Sequence, residues 1–163
     1  MTINLEELYS LQQGLDEEIA SKHNVSYETT FHRRLLALIV ELGELANETR
    51  CFKYWSNKGP NEKDKIIVEY VDGLHFLLSL GIPLKANKFI YEFDKCYLDV
   101  SKQFLNLYFL VSLLQNHYDL NHYIECFNAF LSLGATLNFS SEDIIKAYKN
   151  KLRINYQRQN NNY

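Results

Sequence analysis

A chain of 163 residues with 47% hydrophobic content is long enough for one domain, 1–163, with a substantial core. Its formal charge of −3 excludes a general basic field for nucleic acid, and Glu, Asp or His side chains interrupt the longest apolar runs well short of a bilayer span. No basic region followed by an apolar segment opens the chain, so a cytosolic protein is expected. Cys51, Cys96 and Cys126, odd in number and without paired-ligand spacing, are then reduced core or interface thiols.

Only six glycines and two prolines punctuate the sequence, which predicts long helices with short connections. Asn4 followed by Glu7 resembles a capping box opening a first helix to about Ser21, and a second helix is expected over Tyr27 to Tyr54. Gly59-Pro60-Asn61 breaks the chain. Asn61 can cap a third helix to Leu80, with Gly81 as its stop and Pro83 after it. A fourth helix covers about Ala86 to Asn116, a fifth Leu120 to Leu133 with Gly134 as stop, and a sixth Ser141 to about Gln157, opened by Ser140 or Ser141. No two-residue period is sustained, so no sheet is expected and the fold class is an all-α bundle of about six helices. The run Phe76-Leu77-Leu78-Ser79-Leu80-Gly81 is echoed by Ala129-Phe130-Leu131-Ser132-Leu133-Gly134, either as two apolar helix ends closed by glycine or as two copies of one unit. In the second case Asp72 aligns with Glu125.

Two carboxylate pairs, Glu41-Leu42-Gly43-Glu44 and Glu69-Tyr70-Val71-Asp72, sit inside the most apolar stretches of the chain. A spacing of three puts both side chains of a pair on one helix face, with β-carbons about 5–6 Å apart. Acids that converge between buried helices repel one another, and each is costly to bury ionised unless a cation neutralises it or its pKa rises. Four oxygen donors without histidine or cysteine among them favour a hard ion, magnesium or manganese, over zinc. The competing reading of a single such pair is a solvated helix face. A ferritin-like di-iron site needs Glu-x-x-His pairs, and only His75, three residues after Asp72, offers that spacing.

Glu48 follows Glu44 by one turn, so Glu41, Glu44 and Glu48 share a stripe. The next segment, Phe52-Lys53-Tyr54-Trp55-Ser56-Asn57-Lys58, carries aromatics that serve either as core or as a surface for a base, with lysines for phosphate oxygens. On the last helix Lys151, Asn155 and Arg158 form a polar stripe, either a solvated face or cations for a polyphosphate.

Glu-x-x-Glu followed by Glu-x-x-Asp on consecutive helices resembles the all-α nucleoside triphosphate pyrophosphohydrolases, the MazG-like group. Within it the fuller text is similar to the dimeric deoxyuridine triphosphatases (dUTPases). The matching pieces are Leu11-Gln12-Gln13-Gly14-Leu15-Asp16, Glu41 to Glu48, Phe52-Lys53-Tyr54-Trp55, Glu69 to Phe76 and Asn155-Tyr156-Gln157-Arg158-Gln159, in order along nearly the whole chain. The resemblance implies that Glu41, Glu44, Glu69 and Asp72 bind magnesium, and that Gln12 or Gln13, with Asp16, reads the uracil edge. It also implies that Trp55 or Tyr54 lies against the base, and that His75 and Phe76 approach the deoxyribose. Lys53 or Lys58, with Lys151, Asn155 and Arg158, then gathers around the phosphates, and two chains pair as a homodimer. Many relatives carry asparagine where this chain has Asp16, and the ending Asn160-Asn161-Asn162-Tyr163 departs from the glycine-containing, longer ending of relatives.

The expected reaction is magnesium-dependent attack of water on the α-phosphorus of dUTP, releasing pyrophosphate. Glu41 is the first choice for the general base, with Glu44 second and Glu48 third. Two alternatives stand beside it: a related pyrophosphohydrolase with another nucleotide substrate, and a helical interaction or regulatory protein without catalysis.

Overall fold

The computed structural model describes residues 1–86 and 88–161. Its elements are β1 (Thr2–Asn4), α1 (Glu6–His23), α2 (Tyr27–Thr49), α3 (Lys63–Gly81), β2 (Ile90–Glu92), α4 (Val100–Leu113), α5 (Leu120–Thr136) and α6 (Ser141–Asn160). The fold is all-α with six described helices, as the glycine and proline count predicts. Leu35, Leu38, Leu42 and Leu45 of α2 meet Val71, Leu74, Leu77 and Leu78 of α3 in the core, because their three- and four-residue spacing puts them on one stripe of each helix. Helix α6 lies across α3 and brings Ile144, Tyr148 and Leu152 to the same core.

Helix ends follow local chemistry more closely than glycine placement. Ser26 caps α2 in a reciprocal box with Thr29, and Ser140 caps α6 in the same way with Asp143. Asp99 and Asp119 accept backbone N–H groups at the starts of α4 and α5. Asn61 does not cap α3: its amide donates to Glu48 at 2.7 Å, and the helix opens at Lys63 without a side-chain cap. Asn4 accepts from the Glu6 N–H, but Leu5 occupies the cap position of α1.

Two helix bounds and the expected absence of a sheet also differ. The second helix ends at Thr49, not Tyr54, because Arg50 turns into the left-handed region at φ 57° and its guanidinium ties down the Lys58 carbonyl and the Ser56 hydroxyl. The fourth helix begins at Val100, not near Ala86. The segment before it contains β2, antiparallel to β1 with Ile3 opposite Tyr91. Ile90 and Glu92 are exposed while Tyr91 is buried, a two-residue alternation too short to stand out in the sequence.

The echoed segments pack reciprocally. Tyr70 on α3 donates from its hydroxyl to the Phe130 carbonyl of α5 at 3.2 Å, and Tyr123 on α5 donates to the Leu77 carbonyl of α3 at 3.0 Å. These residues correspond in the echo, as do the glycines that admit them. Gly81 and Gly134 lie inside the last turns of their helices with φ below zero, so they admit a tyrosine ring and do not turn the chain. Two copies of one unit related by a local two-fold would exchange contacts in this way.

A Cβ on Gly134 would sit 2.6 Å from Tyr70 Cζ, and the fully buried ring is stacked on Phe130 and cannot retreat. Gly134→Ala should therefore cost about 1–3 kcal/mol of stability, whereas Gly59→Ala, with nothing within 4 Å, should stay within about 0.5 kcal/mol of wild type. Urea unfolding of both variants checks the pair.

Candidate active site

Glu41 on α2 and Glu69 and Asp72 on α3 bring carboxylate oxygens within 4.8 Å of one another. The packing of α2 against α3 places them so, since each acid is the chain neighbour of a buried residue, Leu42, Tyr70 and Val71 respectively, at the edge of the helix interface. All three are half-buried, and Lys151 of α6 pairs with Asp72. Burial, then Asp72, Glu44 and Glu69, push Glu41 up to about 7. Burial first and Asp72 second raise Glu69. Burial raises Asp72 as well, although Lys151 pulls it down. Glu44 is exposed and stands outside the close triad, but its charge contributes to all three shifts. Glu48, bound to Asn61, adds to the shift of Glu69. Crowded oxygen donors of this kind fit a hard divalent cation.

The triad borders a cleft of about 330 Å³ lined by Gln12, Asp16, Arg34, Glu41, Asp72, His75, Phe76, Lys151, Asn155 and Arg158. Its wall carries a chain of hydrogen bonds whose directions are fixed by the Asp16 carboxylate. Gln12 Nε2 donates to Asp16 Oδ1 at 2.9 Å, which leaves Gln12 Oε1 as an acceptor. Tyr148 donates to that oxygen at 2.9 Å, so His75 Nδ1, 2.7 Å away, must also donate. Burial, with Lys151 second, lowers His75 to about 3, so the ring is neutral and its Nε2 is a bare acceptor. That atom is buried without a hydrogen-bond partner. The imidazole is held in place by stacking on Tyr148, with ring centroids 4.1 Å apart.

Of the residues singled out in the sequence, Gln12, Asp16, Glu41, Asp72, His75, Phe76, Lys151, Asn155 and Arg158 line one cleft, and Glu69 joins its acid end. Gln13 faces outward and donates to Glu17, which separates it from Gln12. Lys53, Tyr54, Trp55 and Lys58 lie on the loop after α2 and do not line the cleft. Tyr54 and Trp55 are 94% and 65% exposed, which removes the core reading of these aromatics. Asn162 and Tyr163 of the C-terminal ending lie outside the described residues.

Arg34, Ser79 and Tyr27 are not among the candidate residues of the sequence, and Tyr148 has no role there, although for three of the four the spacing holds a signal. Arg34 precedes Glu41 by two turns, Ser79 follows Asp72 by two turns, and Tyr148 precedes Asn155 by two turns, so each extends a stripe already identified.

A carboxyl whose folded-state pKa lies above its unfolded value stabilises the fold while protonated. The contribution of Glu41 is complete below about 4.5 and is lost as pH rises through about 7. In chelator, the melting temperature should fall between about pH 5 and pH 8, and Glu41→Gln should flatten that fall. A divalent cation should restore stability at the upper pH, and thermal melts in matched buffers measure all three effects.

A family model described as dUTPase matches residues 4–163, nearly the whole chain. Among curated proteins none matches it. The helical fold agrees with that assignment, and the acid triad agrees with the divalent metal that the family generally uses. The chain therefore belongs to the dUTPase family of the all-α type, and its activity is that of a dUTP diphosphatase.

Proposed function

We propose that the chain hydrolyses dUTP to dUMP and pyrophosphate by attack of water on the α-phosphorus, with magnesium, or manganese in its place, at Glu41, Glu44, Glu69 and Asp72. The observation that carries this reading is the convergence of Glu41, Glu69 and Asp72 at one end of a cleft that also holds Lys151, Asn155 and Arg158. The ion would offset phosphate charge and polarise the phosphoryl oxygens.

Glu41 takes the proton from the attacking water. Glu44 and Glu48, farther along the same stripe, are the second and third choices. As the new oxygen–phosphorus bond forms, the bond to the bridging oxygen breaks and pyrophosphate leaves with the electron pair. Lys151, Asn155 and Arg158 bind the phosphates from α6, and Lys151 exchanges its Asp72 carboxylate for phosphate oxygens. Gln12 and Asp16 take the uracil, and the bare Nε2 of His75 suits a deoxyribose hydroxyl, with Phe76 against the sugar.

The loop bearing Lys53, Tyr54, Trp55 and Lys58 lies beyond the far end of α2 from Arg34. The helix between Arg34 and Thr49 spans about 22 Å. Trp55 of one chain then serves the base most readily in a second copy, which fits a homodimer. Leu36 and Val40 of α2 and Leu105 and Phe109 of α4, exposed on either side of the seam where Tyr108 approaches Gly43, are the apolar surface available to it. Among the described residues no helix is long and apolar enough to cross a membrane, and the cytosol is the proposed location.

Purified protein should release pyrophosphate from dUTP in the presence of magnesium and stop on chelation. Activity confined to another nucleotide would favour a related pyrophosphohydrolase, and no turnover with any triphosphate would favour a binding role. Glu41→Gln should lower kcat by about 10²- to 10⁴-fold while remaining folded, as measured by pyrophosphate release beside circular dichroism.

A further inference from the structure

Asp16 is 5% exposed and accepts four hydrogen bonds. Gln12 occupies one position on Oδ1 at 2.9 Å. Oδ2 receives Ser79 at 2.6 Å, Arg34 Nη1 at 2.9 Å and Tyr27 at 3.1 Å. A carboxylate offers about two acceptor positions on each oxygen, so Oδ2 is saturated and Oδ1 keeps one position open. Arg34 is itself held from three sides. Its Nε donates to Thr30 at 2.9 Å, Nη1 serves both Asp16 and Ser79, and the guanidinium lies over the Tyr27 ring at 4.4 Å. Its Nη2 has no hydrogen-bond partner among the described residues, and Arg34 lines the cleft beside Asp16 and Gln12.

From this array we infer that Arg34 is a specificity-determining residue for the base, donating to a pyrimidine carbonyl from a position fixed by Asp16. This inference rests on the proposed placement of the uracil at Gln12 and Asp16. The remaining Gln12 N–H, the open position of Asp16 Oδ1 and the Arg34 Nη2 group together form a donor, acceptor, donor set. The edge of uracil runs acceptor, donor, acceptor through O2, N3–H and O4, and answers it at every point. Cytosine presents a bare N3 and an amino group at position 4, so it meets the carboxylate with a lone pair and the guanidinium with N–H. Rejection of the wrong base by unpaired and repelling polar groups is the most effective kind of discrimination.

Steady-state kinetics on dUTP and dCTP test the assignment. Arg34→Gln should lower kcat/KM for dUTP about 10- to 100-fold, mainly through KM, the loss expected for a hydrogen bond from a charged donor. Its kcat/KM for dCTP should hold or rise, so the ratio narrows. Arg34→Lys keeps a cation opposite Asp16 and should recover part of the ratio. If Arg34→Gln does not fold, Arg34→Lys alone carries the test: a ratio equal to that of wild type would overturn the inference. So would equal losses on both nucleotides, or losses that follow the melting temperature alone. Calorimetry with dUMP and dCMP in chelator reads base preference independently of turnover, and the wild-type preference for dUMP should shrink in both variants. Wild type that hydrolyses dUTP but binds dUMP no better than dCMP removes this inference and leaves the metal site untouched. Wild type that does not hydrolyse dUTP removes the underlying placement instead.

Discussion

Mutual repulsion among half-buried carboxylates is the constraint on which the site is organised. Glu41, Glu69 and Asp72 are held close by the packing of α2 on α3, and the cost, burial first and neighbouring acid charges after it, expresses itself as raised pKa values for all three. Lys151 relieves part of it from α6 by pairing with Asp72. Burial first, and the same lysine second, lowers the pKa of His75 one turn along α3 from Asp72, so a single cation couples the acid end to the neutral histidine. Strain of this kind is characteristic of functional sites, where local stability is given up for preorganised charge.

The other end of the cleft is held by hydrogen bonds among its own side chains. Asp16 fixes the amide of Gln12, Gln12 fixes the tautomer of His75, and Tyr148 both stacks on that ring and donates to the same amide oxygen. Four helices, α1, α2, α3 and α6, meet in this network through Asp16, Arg34, Ser79 and Tyr148. A buried network whose members fix one another in this way specifies one arrangement of its side chains, and so presents its unpaired groups, His75 Nε2 among them, as rigid donors and acceptors to a bound nucleotide. Burial of Asp16 is tolerable because four donors surround it, one of them charged.

Helices α3 and α5 supply the frame that holds both ends. Their exchange of tyrosines into each other's glycine positions fixes their crossing, and α3 carries Glu69, Asp72, His75, Phe76 and Ser79 along one side while its other face is locked in the core. On α5 the position that aligns with Asp72 in the echo is Glu125, which is exposed and stands outside the close acid triad.

Periodicity and composition by themselves determined the helical class and the acid pairs, because both depend on which residues recur at three- and four-residue spacing. The polar stripe of α6 was legible for the same reason, whereas Gln12, Asp16, His75 and Phe76 were singled out as substrate contacts only by the resemblance to the dimeric dUTPases. Helix ends near Tyr54 and Ala86 were not legible, since the first is set by Arg50 entering the left-handed region and bonding forward to Ser56 and Lys58, and the second by pairing of Ile90–Glu92 with a strand at the other end of the chain. Tertiary structure alone separated Gln12 from Gln13, because adjacent helical residues point about 100° apart and only packing decides which one is inward. It alone joined Arg34 to Asp16, Ser79 and Tyr27, a union of three helices that no spacing within one helix encodes.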